Sequence, residues 1–515
     1  MRTILPLSAL CGLVVLAFFF LAPRAPEAFP PERFEPEIPR TWDSTALADF
    51  VLPLPDTSVN VQVPSEDYYY SLPARVIYKT YPVYHPDYEP EGYLDSLRQR
   101  EPVDVFDPSK LVTEEDWIRA GELVFDAPHF ILPLDSPLGL SGRIAIGAPM
   151  TREGIFPGAF YVVTEGGLRL GAAACGSCHT RVMEDGSIIK GAQGNFNLDR
   201  LRVHAEARTL QLPETALRMT DRTLYCAPWI DHPSQTQLDT LTRHGFIAAH
   251  AAIPDGVLLR QGTNHAYPAR IPDLRGLKDH RYLDATGHMR NRGPGDLMRY
   301  AAFNAHVDLL IRYNTFIPEF GEHEGPLPPP GTFIPPFPPG GFNRFTDAQL
   351  YALARYLYSL EPLPSPHRYD EATLAQGERV FIEEGCVTCH TPPFYTNNEL
   401  TPALGFIPPE DHFETYDIFD ASVDTDPGLA LYTRRGTGYY KVPSLRGLWY
   451  RGALLHDGSL TTLDELLDPK RLDDDFVPSG FKGAGVTHRA VPGHPFGLEL
   501  SEADKAALIA FLKTL

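Results

Sequence analysis

The chain carries two pentapeptides of the pattern C-x-x-C-H, formed by Cys175, Cys178 and His179 and by Cys386, Cys389 and His390. Two thiols three positions apart on one helical turn can form thioether bonds to the two vinyl groups of a haem, and the adjacent histidine can bind the iron as its proximal ligand. A zinc site would need two more ligands at matching spacing, and neither pentapeptide has a second C-x-x-C nearby. The sequence therefore predicts two covalently bound c-type haems.

The sixth iron ligand decides whether a haem carries electrons or binds a small molecule, because a six-coordinate iron has no open position. No methionine follows Cys386, so the second haem cannot take one from its own half. Its candidate ligands are four histidines, with two tyrosines behind them: His412, His456, His488, His494, Tyr439 and Tyr440. We favour His494, which lies in a loop rich in glycine and proline before the last predicted helix, and we keep His488 as the alternative.

No single residue stands out as the sixth ligand of the first haem. The candidates are His129, Met150, Met183 and His204. An iron with an open or weakly bound sixth position is an equal interpretation.

Three further residues are candidates for binding the haem carboxylates. Arg275 and Arg446 occupy equivalent positions of a repeated loop, and a planar guanidinium suits a carboxylate. Capping of the loop backbone is an equal interpretation for both arginines. His456, within the stretch Leu-His-Asp-Gly-Ser, is expected to hydrogen-bond either a haem propionate or its own Asp-Gly turn.

A diverged internal repeat must position these residues. The loop I-P-D-L-R-G-L at 271–277 matches V-P-S-L-R-G-L at 442–448, which lies 171 positions later (442 − 271). Two predicted helices match as well, because the N-capping hydroxyls of Thr346 and Ser501 stand 155 positions apart (501 − 346) and apolar residues follow at helical spacing. The chain therefore contains a duplicated unit.

Each half is predicted to run from a leading helix through C-x-x-C-H and the repeated loop to a closing helix. The leading helices are expected at 114–125 and 372–381, and the first is separated from its haem motif by an insertion with a β-hairpin at about 160–170. The predicted fold is mainly α, with two c-type cytochrome domains, long loops and an insertion in the first. The predicted boundaries are 1–24 for a signal peptide or N-terminal anchor, 25–66 for an irregular extension, 67–365 for the first haem domain with its insertions and 366–515 for the second.

The N-terminal segment indicates where the protein is located, and its net charge indicates which partners it can bind. Residues 4–21 are almost wholly apolar, which is typical of a signal peptide or a membrane anchor, so the body is expected to be periplasmic or otherwise exported. With 45 basic and 66 acidic residues, the net charge is −21. This balance argues against nucleic acid and anionic membranes as partners and favours a basic redox partner protein.

The second half resembles the bacterial di-haem cytochrome c peroxidase and MauG superfamily. The resemblance rests on C-x-x-C-H at 386–390 and on V-P-S-L-R-G-L followed by L-H-D-G-S-x-x-T-L within 442–463. It implies that the N-terminal haem reacts with peroxide and that the C-terminal haem passes electrons. It also implies a calcium ion between the domains.

The first half departs from the peroxidase pattern and is more similar to the di-haem rubber oxygenases, which also have a long first domain. Where the peroxidases have W-D-G-R and a catalytic glutamate, residues 282–288 read Y-L-D-A-T-G-H, and no equivalent glutamate can be transferred. His288 is the polar candidate for catalysis in this segment. The resemblance to the oxygenases implies dioxygen binding in an apolar pocket, for which residues 300–303 are candidate lining.

Two functions compete on this basis. The first is an exported di-haem oxidoreductase whose N-terminal haem binds peroxide or dioxygen and whose C-terminal haem relays electrons. The alternative is a di-haem electron-transfer protein without substrate chemistry. The coordination of the first iron discriminates between them.

Overall fold

The computed structural model of the chain describes residues 33–330 and 343–515. The apolar segment 4–21, and with it the predicted signal peptide or anchor, lies outside the described residues. Helices account for 34% and strands for 13% of the structure. The prediction of a mainly α fold is therefore confirmed only in part: helices outnumber strands, but several small sheets accompany them, and the largest sheet is built from strands of the first half.

The helices of the described residues are mostly short, and four of these helices have more than eleven residues. The α-helices are Ser44–Leu47, Glu66–Ser71, Tyr93–Arg98, Glu114–Phe125, Leu140–Ala145, Cys175–Cys178, Leu198–Ala205, Glu214–Tyr225, Pro233–Asp239, Arg243–Ala251, Pro294–Asn304, Asp347–Ser359, Glu371–Glu383, Cys386–Cys389, His412–Thr415, Gly428–Leu431, Leu463–Leu466 and Glu502–Leu512. A π-helical turn spans Glu206–Leu210, and short 3-10 turns span Pro108–Lys110, Leu277–Asp279, Val307–Leu310, Leu448–Tyr450 and Pro469–Leu472.

The described part of the first half contains two four-stranded sheets. One has the order Thr80–Tyr84, Ile155–Thr164, Gly167–Ala172 and Phe130–Leu132, and all its pairings are antiparallel. The other has the order Val61–Gln62, Arg312–Tyr313, Phe316–Ile317 and Gly321–Glu322. Two-stranded pairs join Thr180–Val182 with Ile188–Lys190, Val257–Leu258 with Ala269–Arg270, Tyr282–Leu283 with Met289–Arg290, and Leu400–Pro402 with Tyr439–Lys441. The predicted hairpin near 160–170 is confirmed by the pairing of Thr164 with Gly167.

The duplicated unit is visible in two helix crossings. Helix Glu114–Phe125 packs against Asp347–Ser359, and helix Glu371–Glu383 packs against Glu502–Leu512. At each crossing a glycine of the leading helix lies directly on an alanine carbonyl: a Cβ at Gly121 would overlap Ala352 O, and a Cβ at Gly377 would overlap Ala507 O. The two alanines are 155 positions apart (507 − 352), which is the spacing that the sequence repeat predicts.

The repeated loops close in the same way in both halves. Gly276 and Gly447 both have φ of 75° and introduce a short 3-10 turn, a backbone region that favours glycine. The Gly276 N–H donates to Leu360 O at 2.7 Å, and the Gly447 N–H donates to Leu515 O at 2.8 Å. Each loop is therefore held to the C-terminal end of the closing helix of its own half.

Residues 33–66, the described part of the predicted extension, are packed against the first half. Trp42, Phe50 and Leu54 are buried in the largest core cluster, and Val61 pairs with Tyr313 in a sheet. Within residues 33–330 and 343–515, no helix combines the length and the apolar character needed to cross a bilayer.

Candidate functional site

Both C-x-x-C-H pentapeptides form a single helical turn that ends at the histidine. The His179 N–H donates to Cys175 O at 3.0 Å, and the His390 N–H donates to Cys386 O at 2.9 Å. None of the cysteines in the described ranges forms a disulfide. Burial raises the pKa of Cys175 to about 12 and that of Cys386 to about 11. These thiols are therefore protonated near neutral pH and lack the low pKa of a redox-active cysteine pair.

The repeated loop orients the first histidine. His179 Nδ1 lies 3.1 Å from Pro272 O, in the I-P-D-L-R-G-L segment. Burial lowers the pKa of His179 to about 4, so the ring is neutral near pH 7. Because a carbonyl can only accept, Nδ1 carries the proton and Nε2 keeps its lone pair for a metal.

The second histidine has a similar arrangement. His390 Nδ1 lies 3.3 Å from Tyr395 O, and burial lowers the pKa of His390 to about 4, against an opposing contribution from the carbonyl groups of Tyr395 and Pro443. Pro443 is the repeat equivalent of Pro272 (443 − 272 = 171). In both halves a proline carbonyl of the repeated loop thus lies near the ring of the histidine.

His494 faces His390 across a short gap. Their ring centroids are 6.3 Å apart with an angle of 53° between the planes. Metal–imidazole bonds are about 2 Å long, so one metal atom bonded to a nitrogen of each ring fits this spacing. Burial lowers the pKa of His494 to about 4, which keeps its ring neutral near pH 7. The alternative ligand His488 is exposed at the surface and contacts Thr487 Oγ1 at 2.7 Å.

A buried arginine holds the loop that carries His494. The Arg471 guanidinium is fully buried and donates to four backbone carbonyls: Leu466 O at 3.0 Å, Gly493 O at 2.9 Å, His494 O at 2.8 Å, and Val491 O. His494 itself has φ of 51°, a conformation that is uncommon outside glycine. Arg471 therefore fixes an unusual backbone at the point where the candidate ligand leaves the loop.

Replacing Arg471 by methionine should destabilise the protein and loosen this loop. Four carbonyls would lose their donor, and a buried unsatisfied polar group costs about 1–3 kcal/mol, so a loss of roughly 3–5 kcal/mol in the free energy of unfolding is expected after partial rehydration. Chemical denaturation measures the change. Exposed Lys470, replaced by methionine, is the control and should change stability little. Equal stability of the two variants would contradict this role of Arg471.

The three predicted carboxylate-binding residues already contact protein groups. Arg275 donates to Glu361 O and Lys190 O, each at 2.8 Å, which is the loop-capping geometry. Arg446 pairs with Asp279 at 2.6 Å. The His456 ring packs on Tyr440 with a centroid distance of 4.7 Å, and its Nδ1 is buried without a hydrogen-bond partner in the described structure. Their contact with a cofactor stays a prediction.

A basic cluster that no sequence motif indicated lies beside the repeated loops and consists of Arg270, His280 and Lys441. Neither ring nitrogen of His280 has a hydrogen-bond partner in the described structure, and Lys441 Nζ donates to Tyr282 O at 3.3 Å. Burial lowers the pKa of Arg270 to about 10 and that of Lys441 to about 8. Each residue lies just outside a repeated loop, and only folding brings the three together.

His288 lines an apolar cavity of about 470 Å³ together with Phe303, Tyr313 and residues of the segment 44–66. The ring centroids of His288 and Phe303 are 5.6 Å apart. Burial lowers the pKa of His288 to about 4, and the positive charge of Arg260 lowers the pKa of both His288 and His179 further. His288 and His179 therefore share Arg260 as an electrostatic neighbour.

The other ligand candidates of the first half are dispersed. His129 packs near His306 at a centroid distance of 5.9 Å, Met150 packs on the core of the larger sheet, Met183 packs beside Tyr450, and His204 lies on helix Leu198–Ala205. Of the described residues, none places an aromatic or imidazole ring against His179 in the way that His494 faces His390.

A buried charge network also joins the two halves. Arg435 pairs with Asp284 at 3.3 Å and with Asp308 at 3.0 Å, and Arg260 pairs with Asp284 at 3.0 Å. Burial raises the pKa of Asp308 to about 7. The partners of Arg435 are 151 and 127 positions away, so no local sequence signal announces this network.

Comparison with known proteins assigns this chain to no family. No protein-family model matches the chain, and no curated protein matches it. Among solved structures, hydrazine synthase of Kuenenia stuttgartiensis, pressurised with xenon, is 16% identical with a TM-score of 0.28, covering 59% of this chain and 88% of that chain. A MauG-like protein associated with microbial copper homeostasis is 21% identical with a TM-score of 0.21, covering 33% of this chain and 56% of that chain. At such TM-scores neither similarity carries an argument about fold or function.

Proposed function

We propose that the chain is an exported di-haem c-type oxidoreductase in which the second haem site relays electrons and the first binds a small oxidant, peroxide or dioxygen. The observation that carries the proposal is the difference between the two C-x-x-C-H sites. The ring of His494 faces that of His390 at 6.3 Å, whereas His179 lies in the half that contains the His288 cavity.

The residues present fit covalently bound haem. Each site offers two thiols on one helical turn and a neutral histidine whose Nε2 is free to bind iron. An anionic partner stabilises a buried cation, so Arg270 and Lys441 of the basic cluster are suited to bind the carboxylates of a haem, with the neutral His280 beside them. When bound, the haems would supply an iron that binds the oxidant at the first site and a one-electron carrier at the second.

The chain's own residues bring the two sites together. Arg446 of the second repeated loop pairs with Asp279 of the first half at 2.6 Å, and Arg451 pairs with Asp273 at 3.1 Å. Gln193, just after the first haem motif, accepts from the N–H groups of Gly452 and Ala453 at 2.9 and 2.8 Å. These contacts fix the two loops beside each other, which suits electron transfer between the sites.

At the first site His288 is the candidate for handling a proton. A neutral imidazole can both donate and accept a hydrogen bond, and the low pKa of His288 keeps it neutral near pH 7. Phe303 and the apolar residues of segment 44–66 line much of the same cavity, which Gln62 and Glu66 also line. A basic redox partner, an N-terminal membrane anchor and a calcium ion between the halves complete the proposal as further expectations.

Binding of an added ligand tests the proposal. Carbon monoxide should bind one haem of the reduced protein and cyanide one haem of the oxidised protein, because only the first iron has an open position. Titration followed by optical spectroscopy measures the stoichiometry. Binding should be lost in His179→Ala and retained in His390→Ala.

The control variant keeps the covalent attachment and changes only the candidate proton donor. His288→Phe should leave carbon monoxide binding intact while it alters the rate of reaction with peroxide or dioxygen. If neither haem binds an added ligand in any oxidation state, the oxidoreductase proposal fails and the electron-transfer alternative replaces it. Binding at the second haem alone would reverse the assignment of the two sites.

A further inference from the structure

A second cluster of metal-ligating side chains lies apart from both haem motifs. Asp221 is on helix Glu214–Tyr225, His250 is on helix Arg243–Ala251, and His265 is in the turn closed by the Tyr267 N–H donating to Asn264 O at 3.0 Å. Their ligand atoms all lie within 4.8 Å of one another. Asp221 and His250 are fully buried, and the side chain of His265 is 9% exposed.

The three ligand atoms lie close together but form no hydrogen bonds with one another. Asp221 Oδ2, His250 Nε2 and His265 Nε2 are all buried and have no hydrogen-bond partner in the described structure. Asp221 Oδ2 is 2.8 Å from His265 Nε2 and 3.9 Å from His250 Nε2, but neither ring N–H would point at the oxygen closely enough to form a hydrogen bond. Three buried polar atoms without hydrogen-bond partners at one point are costly unless a cation binds them.

The spacing suits a single ion. Ligand atoms bound to one ion at about 2.1 Å with tetrahedral angles lie about 3.4 Å apart. The distances of 2.8 and 3.9 Å from Asp221 Oδ2 bracket that value. Small shifts of side chains would therefore close the three ligands around a metal.

Neighbouring side chains orient the ligand atoms of His250 and Asp221. His250 Nδ1 lies 2.7 Å from the buried Asp199 Oδ1, so it carries the proton and leaves the lone pair on Nε2. Arg202 lies 3.5 Å from Asp221 Oδ1 and 2.8 Å from the hydroxyl of Tyr225, which directs the other oxygen, Oδ2, toward the histidines. A carboxylate that orients a ligating histidine is a recurrent feature of metal sites.

We propose that Asp221, His250 and His265 bind one divalent transition-metal ion, such as Zn²⁺ or Fe²⁺, in addition to the haem irons. Two imidazoles and one carboxylate are the donors that such ions prefer, with at least one position left for water or another ligand. Calcium is disfavoured because it takes six to eight oxygen ligands. The ion would cross-link two helices and a turn within the long first half.

A protonated histidine is the competing explanation. In that state His265 would form an ion pair with Asp221 and no metal would be needed. The two explanations differ in metal content and in the response to added Zn²⁺, neither of which depends on enzymatic activity.

Metal analysis of the purified full-length holoprotein tests the proposal. Zinc, manganese and copper, and iron in excess of the haem iron, are measured by plasma mass spectrometry, with haem determined separately as the pyridine haemochrome. We expect about one non-haem metal per chain in the wild type. Failure of haem attachment would show only in the haemochrome assay, so the two proposals fail separately.

Matched variants locate the ion. His250→Gln and His265→Gln should lose the metal, whereas His244→Gln, an exposed histidine on the same helix as His250, should keep it. In chelator-treated protein titrated with Zn²⁺, Asp199→Asn should weaken binding about 10- to 100-fold, and the ligand variants should weaken it more. The proposal is overturned if no non-haem metal is present and no Zn²⁺, Fe²⁺ or Mn²⁺ binds, or if binding is equal in the wild type and both ligand variants.

Discussion

Replacing His494 by glycine is expected to convert the second haem from a low-spin, six-coordinate state to a high-spin state. The ring of His494 faces that of His390 at a distance that one iron can span, so its removal opens one axial position. Axial ligands set haem potentials over a range of about 0.8 V, so a shift on the order of 0.1 V or more is expected. Optical and electron paramagnetic resonance spectra measure the spin state, and redox titration measures the potential.

Rescue by added imidazole and a matched variant at His488 make the test of His494 specific. Added imidazole should restore the low-spin spectrum of His494→Gly, because the small ring can occupy the space left by the side chain. His488→Gly should leave the spectrum unchanged, since His488 is exposed and contacts Thr487. An unchanged spectrum in His494→Gly together with conversion in His488→Gly would move the ligand to His488.

Removing one pair of motif cysteines should remove one covalent haem. Mass spectrometry of the mature wild-type chain should show two haems, and Cys175→Ala with Cys178→Ala, or Cys386→Ala with Cys389→Ala, should each show one. The thioether bonds require both thiols on the helical turn that carries the histidine. Because each haem would fill part of its half's interior, we also expect each double variant to lose several kcal/mol of stability, on the order of a large-to-small core change.

Cys226 provides the control for that experiment. It is buried and free, but it has no C-x-x-C-H context. Cys226→Ala should keep two covalent haems. One haem or none in the wild type, under conditions where other c-type cytochromes mature, would refute the attachment sites.

Local signals allowed the helices and the hairpin to be predicted well. The helix predicted at 114–125 is observed as Glu114–Phe125, with a capping box between Thr113 and Asp116. The helix predicted at 372–381 is observed as Glu371–Glu383, capped by Asp370. Capping hydroxyls, carboxylates and apolar spacing act within a few residues, so the sequence displays them directly.

The other strands of the first half were harder to predict. Thr80–Tyr84 and Phe130–Leu132 join the hairpin from positions distant in the chain, and Val61–Gln62 pairs with Arg312–Tyr313 across about half of it. Short strands depend on their cross-strand neighbours more than on their own composition. This is why a mainly α fold was expected where the structure also contains sheets.

The sequence alone was enough to predict the proposed haem attachment, because Cys175, Cys178 and His179, like their second-half equivalents, lie within one pentapeptide and need only one helical turn. It also determined the repeat, whose equivalent alanines and glycines make equivalent contacts. The tertiary structure was needed to show that Pro272 O accepts from His179 Nδ1–H, that Arg471 holds the His494 loop, and that Asp221, His250 and His265 converge. Backbone carbonyls are present at every residue, and buried charges find partners far along the chain, so nothing local in the sequence marks which of them will meet.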